Sequence, residues 1–132
     1  MHVLPSSTFP MTKHSLSRYA MSLFYIAAGL NHFINPNFYL PLIPTYFPYH
    51  SAINIISGVV EILFGLLLIP AITRKWAAYG IVLMLIAFIP AHVYFIQQNS
   101  CAGELCVSPW AGWVRLIVIH PILLYWAWSS RE

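Results

Sequence analysis

The stretch AINIISGVVEILFGLLLIP, residues 52–70, decides the fold class of this chain. It is apolar almost throughout and contains one ionisable side chain, that of Glu61. A helix that crosses a bilayer needs about 20 mostly apolar residues, so the stretch predicts a membrane-spanning helix. Polar or small residues recur in it at helical spacing, and they are Asn54, Gly58, Glu61 and Gly65. Small residues let membrane helices approach closely, so we expect this stripe to face other helices.

The composition of the whole chain agrees with a membrane protein. Of its 132 residues, 60% are hydrophobic and 7% are charged, whereas a soluble domain carries about 25% charged residues. This excludes an ordinary soluble globule, and the high hydrophobicity excludes a disordered chain. The net charge of +3 comes from six scattered Lys and Arg residues, which excludes a nucleic-acid-binding surface. The lipid bilayer is therefore the first predicted partner.

Three more apolar stretches resemble the first in length. The four predicted spans cover residues 16–34, 52–69, 76–97 and 110–128. At about 20 residues each they take up about 80 residues, which leaves short loops and no room for a soluble domain. We therefore predict an all-α fold, a membrane four-helix bundle in which residues 1–132 form a single transmembrane domain.

The positive residues indicate how these spans are oriented. The loops at 35–51 and 98–109 contain no Lys or Arg, and five of the six Lys and Arg residues fall on the opposite side. Because cytoplasmic loops are enriched in Lys and Arg, the pattern predicts an N-in, C-in topology. The chain is thus expected to be a multi-pass protein of a bacterial inner (cytoplasmic) membrane.

The first outer loop, residues 35–51, combines four prolines with several aromatic residues and has no charge. Unpaired backbone groups are costly in hydrocarbon, and proline does not sustain a regular helix. We therefore expect this segment to lie at the membrane interface, packed on the ends of the helices. It serves either as a plain interfacial anchor or as a lid over a pocket that opens outward.

Each predicted span carries one ionisable residue in its outer half. These residues are His32, Glu61, His92 and Arg115. Ionisable side chains within a span usually face the bundle interior or water, so all four are candidate ligand-binding or proton-handling residues. We expect Arg115 to pair with Glu61, because a guanidinium stays charged and can bind a carboxylate through two hydrogen bonds.

Other roles for these four residues are a purely structural one and a metal site. The polar residues could serve only to fix the register of the helices, and Arg115 could instead extend to the outer interface. A metal site built from His32, His92 and Glu61 is chemically allowed, but no paired-ligand spacing supports it, and we predict none. His120 is expected to bond a backbone carbonyl.

Two more helix faces and two prolines complete the pattern. The first span has a polar and small stripe at helical spacing, formed by Ser22, Tyr25, Gly29 and His32. The third has a face of small residues and methionine, formed by Ala77, Gly80, Met84, Ala87 and Ala91. Both stripes are expected to face the bundle. Pro90 and Pro121 are expected to kink their helices.

Cys101 and Cys106 lie in the second outer loop, in the segment NSCAGELCVSPW (residues 99–110). Outside the cytoplasm such a pair can form a disulfide, and Gly103 gives the turn the freedom to bring the two residues together. We predict a structural disulfide. The alternatives are a redox-active pair beside the polar residues and two free thiols.

Three segments together resemble a known family. They are AAGLNHFINPNFYLPLIP (residues 27–44), INIISGVVEILFGLLLIP (53–70) and TRKWAAYGIVLMLIAFIPAHVY (73–94). They look like the DoxX-like family of small four-span membrane proteins, and the resemblance extends from Tyr19 to Trp128. It implies a compact four-helix bundle and an association with redox physiology. It also adds Asn31, next to His32, to the candidate site residues.

Two classes of function fit this pattern, and whether the chain is an enzyme stays open. The first is a redox-associated membrane protein whose outer-half pocket binds a quinone-like amphiphile or another small ligand, with a quinone as the cofactor it suits. The second is a non-catalytic assembly factor, scaffold or subunit of a membrane complex. Another membrane or redox protein, or a second copy of the chain, is the predicted protein partner.

Overall fold

The described part of the chain is almost entirely helical. The structure, a computed structural model, describes residues 13–103 and 105–131. The predicted domain also includes residues 1–12, Glu104 and Glu132, which lie outside the described residues. Within the described ranges the helices confirm the all-α prediction. The one addition to it is a β-hairpin of two strands with two residues each.

The elements follow one another along the chain in short connections. In chain order they are α1 (Lys13–Ile34), α2 (Pro36–Tyr39), a 3₁₀ turn (Leu40–Leu42), α3 (His50–Leu67), α4 (Ala71–Ala87), α5 (Ile89–Gln97), β1 (Cys101–Ala102), β2 (Leu105–Cys106), α6 (Pro109–Val114), a π-helix (Arg115–Ile119) and α7 (His120–Ser129). α5 continues α4, and the π-helix joins α6 to α7. The described chain therefore has four long helical segments, which are α1, α3, α4 with α5, and α6 through α7.

The two ends of these segments differ. Residues 35–49 and 98–108 meet at one end, where Gly103 packs against Pro41; we call this the loop end. The turn at 68–70, the start of α1 and the end of α7 lie at the other, which we call the terminal end. There the indole N–H of Trp126 donates to Ser17 Oγ at 2.8 Å.

Three of the segments are long and apolar enough to cross a membrane. They are His50–Leu67, Ala71–Gln97 and Pro109–Ser129. α1 is just as long, but polar side chains such as Arg18 and Asn31 interrupt its apolar run. The predicted boundaries differ from the observed ones by a few residues. The largest difference is the start of the third span, which begins at Ala71 rather than at residue 76, directly after Pro70.

Both predicted proline kinks coincide with helix interruptions. The regular helix breaks at Phe88, just before Pro90. Pro121 has no N–H to donate one turn back, and the preceding residues form the π-helix, in which the N–H of His120 bonds Arg115 O. π-Helical turns are frequent at functional sites, and this one places Arg115 on the wall described below.

α1 and α3 pack through the two predicted stripes. The buried residues of α3 are Asn54, Gly58, Glu61 and Gly65, as predicted, and the α1 stripe is buried as well. A Cβ on Gly29 would lie 2.6 Å from Gly58 O, so the two backbones touch. Ser22 Oγ donates to Gly65 O at 2.6 Å. Small residues thus permit the close approach that membrane helices favour.

The predicted buried face of the third span is partly wrong. Ala77 and Met84 are buried, but Ala87 is exposed. The face that is buried consists of Ala77, Ala78, Ile81, Met84 and Leu85. α4 packs against both α3 and α7, so the larger side chains between these two neighbours are covered together with the small ones. The main apolar core lies here, toward the terminal end, around the fully buried Met21, Leu68 and Ile81.

Candidate functional site

A cavity of about 490 Å³ lies between the helical segments in the half nearer the loop end. All four ionisable candidates contribute to its wall: His32, Glu61, His92 and Arg115. They come from α1, α3, α5 and the π-helix, so each long segment supplies one. Ligand sites are typically clefts of about 300–1,000 Å³ lined mainly by apolar side chains with a few polar groups, and this cavity fits that description.

The proline-rich connection contributes to the wall at the loop end. Its residues that line the cavity are Tyr39, Leu42, Ile43, Pro44 and Phe47. Apolar residues of the helices line the rest, among them Phe24, Leu85, Phe88, Ile119 and Leu123. We call residues 36–47 the cover segment, because these side chains close the cavity on that side.

His32 is held by Asn54 through two hydrogen bonds. Asn54 Nδ2 donates to the backbone carbonyl of His32 at 3.0 Å, and the His32 Nδ1 lies 2.7 Å from Asn54 Oδ1. The helix cannot satisfy that carbonyl, because the residue four positions later is Pro36, which lacks an N–H. Asn54 therefore supplies the donor that the sequence of α1 removes.

These two bonds also determine which nitrogen of His32 carries a proton. A carbonyl only accepts, so the amide nitrogen of Asn54 must face it and the amide oxygen must face Nδ1. Nδ1 is then the donor. The other nitrogen, Nε2, lies 3.3 Å from Glu61 Oε2, and the geometry at that oxygen does not form a hydrogen bond. Both residues are buried, with 6% of each exposed, so the imidazole and the carboxyl group form a close pair with little contact with solvent.

The predicted pairing of Glu61 with Arg115 is wrong. Glu61 has His32 as its ion-pair partner, and Arg115 forms no ion pair with a carboxylate in the part of the chain that the structure describes. The guanidinium carbon of Arg115 instead lies 5.5 Å from the centre of the Phe95 ring. The physical reason is placement: α3 packs directly on α1, whereas Arg115 approaches the cavity from the segment across it.

Asn31 does not line the cavity and acts through a neighbour. Its Nδ2 donates to the Tyr39 hydroxyl at 2.8 Å. The Tyr39 ring stacks on the His32 ring, with 3.7 Å between the ring centres. Burial raises the pKa of Tyr39 above that of an exposed phenol. Asn31 thus positions an aromatic side chain of the cover segment over His32.

Several buried polar atoms of residues that line the cavity have no hydrogen-bond partner within the described residues. They are Tyr25 Oη, Glu61 Oε2, His92 Nδ1 and His120 Nε2. The His92 and His120 rings are 4.6 Å apart, centre to centre. Buried polar groups in native proteins are nearly always satisfied. Such a concentration in one cavity is typical of a site that receives a polar ligand or water.

The predicted disulfide is present beside the cover segment. Cys101 and Cys106 are bonded across the β1–β2 hairpin, and their Cα atoms are 4.1 Å apart. Gly103 adopts a positive φ of 60° at the turn and packs against Pro41. The bond therefore closes the hairpin whose turn packs against Pro41 of the cover segment.

The chain was compared with families, curated proteins and solved structures. The family described as Domain of unknown function (DUF8561) matches residues 21–131. The chain belongs to this family. The comparison with curated proteins found no match, and neither did the comparison with solved structures. The matched range includes every residue that lines the cavity.

Sequence reasoning missed three residues of the site. Asn54 was placed on the buried stripe of α3 but was not recognised as the partner of His32. Tyr25 is predicted only as part of a packing stripe, yet its side chain lines the cavity. His120 is expected to bond a carbonyl, and its ring does lie beside the carbonyl of Leu85. Its Nε2 nevertheless has no hydrogen-bond partner within the described residues.

The arrangement suits hydrogen bonding and proton exchange more than metal binding. In residues 13–103 and 105–131 no group of three His, Cys, Asp or Glu side chains is placed to hold a metal ion. The wall instead combines the His32–Glu61 pair, a cation at Arg115 and two imidazoles. Such groups can orient a polar headgroup and exchange protons with it.

Proposed function

We propose that this chain is a four-span, DoxX-like membrane protein with both termini in the cytoplasm and the loop end outside. Apolar side chains point outward along its helices, including Leu23 and Leu83, which are 69% and 68% exposed. A surface of this kind needs lipid around it. Trp76 and Trp110 are exposed near opposite ends of the helical segments, where tryptophans mark the two membrane interfaces.

The cavity is the proposed site of action, where it binds a quinone-like amphiphile or another small ligand. The observation that carries this proposal is that four residues that line the cavity, Tyr25, Glu61, His92 and His120, each have a buried polar atom without a hydrogen-bond partner among the described residues. A cavity that served packing alone would not concentrate unsatisfied groups at such a cost. The apolar remainder of the wall suits the body of an amphiphile.

Proton exchange with the ligand is the proposed role of His32 and Glu61. Nε2 of His32 lies 3.3 Å from Oε2 of Glu61, and Asn54 keeps this nitrogen directed at the carboxyl group by bonding Nδ1. A ligand oxygen bound beside Oε2 would exchange protons with this pair. Redox association is supported by the resemblance to DoxX-like proteins, and electrons would come from a partner protein.

A scaffold or assembly factor is the second candidate, because the cover segment and the residues after it expose aromatic side chains. Tyr46 and Tyr49 are 67% and 81% exposed at the loop end. Aromatic residues are enriched at protein interfaces, so this surface suits another membrane protein or a second copy of the chain. In that case the polar residues serve to fix the helices.

Native mass spectrometry of the purified protein, with extraction and identification of bound small molecules, separates these two functions. We expect a stoichiometric amphiphile in the wild type and its loss in Glu61→Gln, which keeps the shape of the side chain but removes the acid. Ser57→Ala is the matched control, since it changes another cavity-lining residue of α3 and leaves the side chains of His32 and Glu61 unchanged.

The outcomes are distinct. A ligand that is lost in Glu61→Gln and kept in Ser57→Ala supports the binding site. A protein that purifies without a ligand, and whose co-purifying partner is lost when Tyr46 and Tyr49 are changed to Ser, supports the scaffold and refutes the binding proposal.

A further inference from the structure

We propose that the ligand headgroup held in this cavity is anionic and that Arg115 selects it. This inference rests on the proposed function of the cavity as an amphiphile site and adds the chemical class of the ligand. The ligand class is an amphiphile whose head is an acidic oxygen group, either a carboxylate or a phosphate.

The first argument is charge balance along the wall. Glu61 is the one carboxylate in the described part of the chain, and it faces His32. Arg115 is a permanent cation and has no ion-pair partner among the described residues. The part of the wall at Arg115 therefore carries a positive charge that no neighbouring carboxylate neutralises.

The second argument is what Arg115 contacts. Its guanidinium lies against the Phe95 ring at 5.5 Å, and Phe95 itself is buried with 3% exposed. Cations lie favourably at this distance from an aromatic ring. Within the described residues the guanidinium has no carboxylate partner, and its planar fork of N–H groups matches the two oxygens of a carboxylate or phosphate.

The third argument is the position of the other donors. His92 and His120 line the cavity together with Arg115, and the centres of their rings are 4.6 Å apart. A neutral imidazole can donate from one nitrogen, so these two rings can add N–H donors to those of Arg115. Glu61 belongs to the wall formed by α1 and α3, where His32 already faces it.

The path of an apolar tail follows from the exposure of the lining residues. Phe24 and Ile119 both line the cavity, yet they are 45% and 48% exposed. The cavity wall is therefore continuous with the outer surface of the helices between α1 and the π-helix. A tail can extend from a head at Arg115 along these side chains toward the acyl chains of the bilayer.

The test compares three twelve-carbon probes on the full-length protein in nanodiscs of phosphatidylcholine, a lipid with no net charge. The probes are dodecanoate, dodecyl phosphate and the uncharged methyl dodecanoate, and titration calorimetry gives each dissociation constant. We expect the acidic probes to bind at least about tenfold more tightly than the ester, as one charge-assisted contact implies. Arg115→Gln should remove that difference and leave the ester unchanged.

Two further variants separate charge from folding. Arg115→Lys keeps the cation and should retain part of the preference. Arg74→Gln removes a cation whose guanidinium bonds the carbonyls of Leu68 and Ile69 at the terminal end, so the preference should be unchanged. The comparison of probes on the wild type needs no variant and gives an answer even if Arg115→Gln does not fold.

The outcomes distinguish this inference from the proposal on which it rests. Equal binding of the ester and the acidic probes, or a preference that survives in Arg115→Gln, overturns the anionic headgroup while the amphiphile site stands. Failure of every probe to bind overturns both. A preference for dodecanoate assigns a fatty-acid-type head, and a preference for dodecyl phosphate assigns a phosphate head such as that of a lipid.

Discussion

The substitution Asn54→Leu tests the bonds that organise the site. Leucine has nearly the shape of asparagine but cannot hydrogen-bond, so it leaves both the carbonyl and the Nδ1–H of His32 without partners. Interhelical bonds in membrane proteins average about 0.6 kcal/mol each, and a buried group left unsatisfied costs about 1–3 kcal/mol. We therefore expect the free energy of unfolding to fall by about 1–3 kcal/mol.

The measurement is reversible unfolding in mixed detergent micelles, followed by circular dichroism. Asn37→Leu is the matched control, because it makes the same chemical change at an exposed position of α2 and should stay within about 0.5 kcal/mol of the wild type. Equal stability of the two variants would refute the contact between Asn54 and His32. ¹⁵N NMR of the ring nitrogens adds a direct check, since a proton on Nε2 rather than on Nδ1 in neutral His32 would contradict the donation from Nδ1 to Asn54.

The remaining predictions concern packing and the disulfide. Gly29→Val places a side chain against the backbone of Gly58 and should lower the free energy of unfolding by about 1–3 kcal/mol, whereas Ala27→Val on the exposed face of α1 should change it little in the same assay. Equal effects would show that the two helices do not touch there. Replacing Cys101 and Cys106 together by Ser should cost about 2 kcal/mol for so short a loop, and in the wild type thiol alkylation should be seen by mass spectrometry only after reduction; alkylation without a reductant would contradict the bond.

Much of the fold follows from local patterns in the sequence. Long apolar runs predict the helices, and prolines predict where they break, because both effects act within one or two turns of the chain. The stripe of α3 from Asn54 to Gly65 is buried as predicted. Its spacing places these residues on one face of the helix, whichever neighbouring helix packs there. The cysteine pair is similar, because a short separation keeps the two thiols near each other.

The face of α4 shows where this reasoning fails. The small residues of the third span predict its buried face, yet Ala87 is exposed and Ile81 is fully buried. A helix between two neighbours is covered over a wider arc than a helix with one. Which residues fall within that arc depends on the rotation of the helix, and no pattern within the helix itself encodes that rotation.

The sequence by itself determined that four ionisable residues lie at similar depths near one end of the helices, and the structure brings them to one cavity. Only the tertiary structure decided how they pair. Glu61 faces His32 rather than Arg115 because α1 and α3 touch through glycines, whereas Arg115 stands across the cavity. Depth along a helix is fixed by residue count, but a contact between helices depends on their separation and rotation, which the packing of the whole molecule sets.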